Sequence, residues 1–330
     1  MAEPAAEGLE DLEQGVLAGD RGALSRAITL AESTRPEDAA QAQKLIADLL
    51  PKTGGSLRVG LTGVPGAGKS TAIEALGLWL VERGKKVAVL TIDPSSARTG
   101  GSILGDKTRM QNLSASEDAY IRPSPSSGVL GGVARRTREA LLLCEAAGYD
   151  VVLVESVGVG QSEAEMADLV DTLCLLLVPG TGDELQGIKR GLMEVADVVV
   201  VNKADGDRVN AANRARADFR QALHMLPPST PGWETPVLTA SALEGTGLAE
   251  IWDAIEGHRA VLDESGLLEE RRARQREVWL DSMIEDAALE HFLAREGVTE
   301  AVQAARAAVA SGEKTVPEAF LSVLDSATDG

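Results

Sequence analysis

The stretch GLTGVPGAGKST, residues 60–71, constrains the fold more than any other part of the chain. It follows the apolar run LRVGLTGV, opens a helical pattern, and places Gly63, Gly68, Lys69 and Ser70 in the G-x-x-x-x-G-K-[ST] spacing. Glycines let a backbone wrap closely around an anion and aim its N–H groups inward, at a helix N-terminus whose dipole favours negative charge. A loop of Gly63, Val64, Pro65, Gly66, Ala67, Gly68, Lys69, Ser70 and Thr71 therefore reads as a phosphate cradle. Lys69 would reach the β and γ phosphates, and the Ser70 hydroxyl would bind Mg2+. The alternative is a glycine-rich turn with a solvated lysine.

That loop needs a parallel sheet behind it, and the chain supplies the strands. LRVGLTGV, KKVAVLTID, YDVVLVES, TLCLLLVPG, DVVVVNKAD and TPVLTASA are short apolar runs separated by helix-length segments. Continuous apolar strands of this kind lie in sheets covered on both faces. The expected fold is α/β: a doubly wound, mostly parallel sheet flanked by helices, with helical extensions at both ends. Residues 1–55 form the N-terminal extension, with Leu9, Leu12, Val16, Leu24 and Ile28 at helical spacing; residues 56–262 form the nucleotide-binding domain. PPSTPGWETP, residues 227–236, is a loop by its proline and glycine content. Residues 263–330 are helical, near 264–296, 298–311 and 315–325. Trp279, Leu280, Met283, Ile284, Ala287, Ala288 and Phe292 share one stripe, which packs on its own domain or on a second subunit.

Charge narrows the partners. With 32 Lys and Arg against 51 Asp and Glu, the net charge of −19 opposes binding to nucleic acid or to anionic lipid. Phosphate must be held by a local site. LCLLLV is too short to span a bilayer, and the acidic start MAEPAAEGLEDLEQG has neither an apolar signal core nor transit-peptide character, so a cytoplasmic location is expected. Cys144 and Cys174 lie inside apolar runs and read as buried hydrophobes; His224, His258 and His291 read as surface or core residues, not metal ligands.

The base is read by a second motif, because the loop touches only phosphate. VVVVNKAD ends a buried strand in Asn202, Lys203 and Asp205, the N-K-x-D pattern of GTPases. An aspartate carboxylate accepts two hydrogen bonds from guanine N1–H and its exocyclic amine, which adenine cannot offer; such charge-assisted bonds contribute about 1.5–3 kcal/mol each. One strand later TASALEG offers Ser241, Ala242 and Leu243 to complete the base pocket. In VVLVESVGVGQSE a strand stops on Glu155, and Gly158 follows in an E-x-x-G spacing where most GTPases have D-x-x-G. Glu155 would hold the metal's water shell and Gly158 would meet the γ-phosphate; a strand-end salt bridge is the alternative reading of the glutamate. Asp93 in TIDPSS and Asp106 in GGSILGDKTRM are further metal-site candidates, because both lie beyond the carboxyl ends of strands. Arg135, Arg136 and Arg138 read as a solvated helix face.

Taken together, GVPGAGKST, TIDPSS, GGSILGDKTRM, VVLVESVGVGQSE and NKAD resemble the MeaB/ArgK family of P-loop GTPases over roughly residues 10–330. The resemblance implies a homodimeric GTPase that binds GTP and GDP with Mg2+. It also implies a chaperone of methylmalonyl-CoA mutase, or of a related adenosylcobalamin-dependent mutase, gating cofactor loading and protecting or reactivating the enzyme. Carried to this chain, Lys69 and Ser70 serve phosphate and metal, Asp93, Asp106 and Glu155 surround the metal, and Asn202, Lys203 and Asp205 select guanine.

Ras-like GTPases carry a water-orienting glutamine directly after the D-x-x-G glycine. Here that position is Val159, and Gln161 comes two residues later. Slow intrinsic hydrolysis, accelerated by a partner, is the expectation. PGTGDELQGIKRG is the reservoir of groups that a partner could order, with Gln186 and Lys189 as catalytic candidates and Lys189 as a stabiliser of transition-state charge. Competing functions are a kinase acting on an amino-acid transport protein, a metal-delivery GTPase, and a binding scaffold without turnover.

Overall fold

A computed structural model describes residues 8–33, 35–93, 110–125, 130–156, 166–179 and 190–328. The chain divides into two compact units, Met1–Gln275 and Arg276–Gly330.

In the first unit, helices α1 (Leu9–Leu17), α2 (Arg21–Glu32) and α3 (Pro36–Leu49) precede the sheet. The strands are β1 (Leu57–Gly63), β2 (Val87–Asp93), β3 (Ala119–Pro125), β4 (Val151–Glu155), β5 (Thr172–Leu177), β6 (Val198–Val201) and β7 (Val237–Thr239). They form one seven-stranded sheet in the order β3-β2-β4-β1-β5-β6-β7. All of its pairings are parallel. β1 is central, with β4 and β5 as its neighbours, and every residue of β4, β5 and β6 is buried. The crossover helices are α4 (Lys69–Val81), α5 (Gln111–Ala115), α6 (Leu130–Ala146), α7 (Arg190–Val195), α8 (Val209–His224) and α9 (Leu248–Ser265).

Helices cover both faces. Ile73, Leu76 and Leu80 of α4 and Ile251, Trp252 and Ile255 of α9 pack one face against Val59, Val89, Leu153, Cys174 and Val200. On the other, Ala212, Ala215 and Phe219 of α8 meet Leu175, Val199 and Val201. Both cysteines are buried, and burial pushes their thiols well up, Cys174 to about 12. β3 carries Pro123 and Pro125, which mask it in the sequence; among the described residues it is an edge strand paired only with β2, where a missing N–H is tolerated.

The amino ends of the strands are tied together by a buried ionic network. Asp171, fully buried before β5, accepts from Arg272 Nε at 2.9 Å and Nη2 at 2.7 Å, and from Arg259 at 3.3 Å. Arg272 also donates to the carbonyls of Gly54 (2.7 Å) and Ser56 (3.0 Å), while Arg58 makes a two-pronged pair with Glu145. Before β6, Asp197 accepts from Leu173 N (2.9 Å), Ser229 (3.0 Å), Thr230 (3.2 Å) and Arg271 (3.2 Å). His258 sits between Thr172 and Thr230, at 2.8 and 3.0 Å; its desolvation outweighs the nearby Asp197 and pulls its pKa down to about 4. Arg138 is no solvated helix residue: it is buried and donates to the carbonyls of Gln275 and Asp168.

The second unit contains the carboxyl half of α10 (Leu267–Leu293), then α11 (Val298–Ala310) and α12 (Val316–Thr328). Its core is Val298, Val323 and Ala327 with Phe292, Ala301, Val302 and Ala305. The apolar stripe read along α10 splits: Trp279 and Met283 are half-buried, whereas Leu280 and Ile284 are both exposed. Val316, Phe320, Leu321 and Leu324 of α12 are exposed as well. No helix among the described residues is long and apolar enough to cross a membrane.

Candidate nucleotide site

The carboxyl end of β1 delivers the glycine loop to the centre of the sheet. Gly63 (φ 148°) and Gly68 (φ 84°) adopt backbone conformations that side chains disfavour, and both are closely approached. A Cβ on Gly63 would lie 2.2 Å from the Leu176 carbonyl oxygen; one on Gly68 would lie 2.8 Å from Asn202 Nδ2. Ala67 is fully buried, while Pro65, Gly66 and Thr71 face solvent. Lys69 opens α4, and its Nζ donates to the Gly63 carbonyl at 2.9 Å and approaches that of Val64 at 3.5 Å. The amine is thus held over the mouth of its own loop.

β4 runs beside β1 and ends at Glu155, in register with Leu61. Ser70 Oγ donates to Glu155 Oε1 at 2.8 Å, so the residue after the loop lysine and the strand-end carboxylate meet although 85 positions separate them. Behind them lies a bond the sequence did not suggest: Ser156 Oγ donates to Thr62 Oγ1 at 2.8 Å, both residues buried. β2, the next strand out, ends at Asp93, whose side chain lies outside the described residues. Asp106, Gly158, Gln161, Gln186 and Lys189 also lie outside them. Among the described residues, no three Asp, Glu, His or Cys side chains gather as a metal cluster.

β6 ends at Val201, and the next residues turn sharply: Lys203 has φ 59°, the lone positive φ among described non-glycine residues. Asn202 is buried and bridges two loops, donating from Nδ2 to the Ala67 carbonyl (2.8 Å) and accepting at Oδ1 from Ala242 N (3.1 Å). Asp205 Oδ2 accepts from Ser241 Oγ at 2.6 Å, and that hydroxyl accepts from Glu244 N at 3.1 Å. The TASALEG loop is closed by paired bonds between Ser241 and Thr246. Its Ala242 is half-buried, and Leu243 is 82% exposed. Residues from four stretches of sequence therefore share one end of the sheet: the glycine loop with Ser70, the strand end at Glu155, the Asn202–Asp205 turn, and Ser241–Leu243. The sequence pattern pointed to all four, but not to the side-chain bonds from Asn202 to Ala67 and from Ser241 to Asp205.

A glycine loop after the central strand of a parallel sheet, tied through Asn202 to an N-K-x-D turn, defines a P-loop GTPase. The family model for the methylmalonyl Co-A mutase-associated GTPase MeaB matches residues 24–297, and the chain belongs to that family. It is similar to the GTPase ArgK of Escherichia coli, 51% identical over 291 residues that cover 88% of this chain and 87% of that protein. The mitochondrial methylmalonic aciduria type A homolog of Mus musculus is 46% identical over 93% of this chain and 78% of the mouse protein. The crystal structure of a LAO/AO transport system kinase superposes with a TM-score of 0.76 at 39% identity, covering 98% of this chain and 99% of the other.

Proposed function

We propose that this GTPase is a chaperone of methylmalonyl-CoA mutase, or of a related adenosylcobalamin-dependent mutase. In this reading it gates cofactor loading in the cytoplasm and protects or reactivates the mutase. The observation that supports the nucleotide part is the Asn202 bridge, which joins the phosphate loop to the base loop. Asp205, steadied by Ser241, would accept from guanine N1–H and its amine, with Lys203 beside it and Ala242 and Leu243 flanking the base. Lys69 would exchange its loop carbonyls for the β and γ phosphates, and the loop N–H groups would hold the anion.

The donor set fits Mg2+, a hard cation that takes oxygen ligands and keeps several waters. Ser70 Oγ and Glu155 would hold it, with Asp93 and Asp106 as the remaining candidates. When bound, Mg2+ would neutralise charge on the β- and γ-phosphate oxygens. Glu155 is one methylene longer than the usual aspartate, which favours contact through water. Gly158 would sense the γ-phosphate. With Val159 at the position of the usual glutamine, turnover is slow alone and stimulated when the mutase orders Gln186, Lys189 or neighbouring groups.

We also read the protein as a homodimer joined through the second unit, whose exposed apolar side chains on α10 and α12 need cover. The deciding experiment measures GTP turnover alone and with the mutase. Stimulation and co-migration support the chaperone; neither, with basal turnover intact, removes the chaperone and leaves the GTPase. The kinase named for the structural relative motivates a second reading, phosphorylation of an amino-acid transport protein. Labelled γ-phosphate recovered on a protein, not as inorganic phosphate, would favour it.

A further inference from the structure

β4 ends between two side-chain bonds, one on each face of the sheet. On one face Glu155 Oε1 accepts from Ser70 Oγ at 2.8 Å; on the other the next residue, Ser156, donates from Oγ to Thr62 Oγ1, also at 2.8 Å. The faces follow from strand alternation: Leu61 and Leu153 pack into the core shared with α4, so Glu155 points that way too, and Thr62 and Ser156 point away. Gly60 shares the face of Thr62 and lies against Met166, whose Cγ a Cβ there would meet at 2.8 Å. Ser156 N also donates to the Leu61 carbonyl at 3.1 Å. Backbone and side chain of Ser156 are thus both held on β1, the strand that delivers the glycine loop.

Thr62 is fully buried and Ser156 almost so. A buried hydroxyl is costly unless bonded, and two apolar side chains of similar shape would fill the same space without that cost. Packing alone therefore gives no reason for a hydroxyl pair here. A metal ion taken up between Ser70 and Glu155 would replace their direct bond, whereas the Ser156–Thr62 bond lies on the far face and is left intact. It is the side-chain contact that can keep the end of β4 in place while the ion comes and goes.

We propose that Ser156 is a positioning residue for the metal site: its buried bond to Thr62 holds the end of β4 on β1, so that Glu155 is presented at a fixed separation from Ser70. The inference rests on the reading of Ser70 and Glu155 as the Mg2+ groups and adds the pair that sets their spacing. Ser156 and Thr62 touch neither nucleotide nor ion in this role; they act through Glu155.

The test titrates Mg2+ into the full chain saturated with a fluorescent, non-hydrolysable GTP analogue, and separately measures the affinity for that analogue in EDTA. Ser156→Ala removes the donor. Thr62→Val with Ser156→Ala removes both hydroxyls, leaves no buried donor unpaired, and is the variant best able to fold. Each is expected to raise the Mg2+ concentration at half-saturation by about tenfold while the affinity in EDTA stays within about twofold of wild type. Because the hydroxyls act through one bond, the double variant should be no worse than Ser156→Ala, and Thr62→Ser, which keeps the acceptor, should match wild type. An unchanged Mg2+ midpoint in the double variant would overturn the inference, even if its melting temperature fell. So would an affinity in EDTA that drops as far as the affinity with Mg2+, which would make the pair a support of the glycine loop alone. Glu155→Ala separates the two levels. If it raises the Mg2+ midpoint and the Ser156 variants do not, only the positioning role falls; if it too leaves the midpoint unchanged, the metal reading falls and takes the inference with it.

Discussion

Asn202→Ala tests the nucleotide site most directly. The wild-type side chain makes two bonds, Nδ2 to the Ala67 carbonyl at 2.8 Å and Ala242 N to Oδ1 at 3.1 Å, and is 2% exposed. Truncation leaves a buried acceptor on the phosphate loop and a half-buried donor on the base loop without their partner. Each bond is worth about 0.5–1.5 kcal/mol net, so together they account for roughly 10- to 100-fold in nucleotide affinity if both loops must be in place to bind. Because both loops serve either nucleotide, GTP and GDP should weaken alike, and because Asp205 is left in place the preference for guanine over xanthine should persist. Equilibrium titration with GTP, GDP and xanthosine triphosphate reads all three. A loss confined to GTP, or an affinity within threefold of wild type for both nucleotides, would refute the bridging argument.

Other expectations follow from the same contacts. Asp205→Asn should favour xanthosine triphosphate over GTP, because an amide donor suits the 2-oxo group; retained GTP selectivity in competition binding would contradict the base assignment. Gly68→Ala should mimic Asn202→Ala in titration, since its Cβ would fall 2.8 Å from Asn202 Nδ2 at φ 84°, and unchanged affinity would show that the loop relaxes freely. Arg272→Met strips the two-pronged partner from fully buried Asp171 and should cost about 3–5 kcal/mol in urea denaturation. A loss below 1 kcal/mol would mean Arg259 alone neutralises that carboxylate. His258 is held neutral, with its folded pKa near 4 against an ordinary 6.5. Between those values the unfolded chain binds a proton that the folded one does not, so stability is full above pH 6.5 and falls as pH drops towards 4, by about 3 kcal/mol. His258→Gln should flatten that part of the pH–stability curve, and an unchanged slope would assign it to other groups.

The sheet and its loop were legible because their signals are local. Gly63, Lys69 and Ser70 stand at fixed spacing after an apolar run, and the central strands are short runs rich in valine and leucine. β3 was not legible, since Pro123 and Pro125 resemble a loop until the strand is seen at the sheet edge with only β2 to satisfy. Arg138, in an arginine-rich segment that reads as solvated, turns inward because the carbonyls of Gln275 and Asp168 need a donor there. The stripe on α10 was visible as a period, but which of its members faced solvent was not.

The sequence by itself determined the architecture, the phosphate loop and the guanine signature, because these depend on spacings of a few residues and on which side chains are apolar. Only the tertiary structure decided that Ser70 meets Glu155, that Asn202 binds Ala67 and Ala242, and that Arg272 meets Asp171 across 101 positions. Those partners are chosen by strand order, which brings β1, β4, β5 and β6 side by side. No local pattern records which carbonyl or carboxylate will be waiting there unsatisfied, and burial makes each such group bind whatever donor the fold delivers.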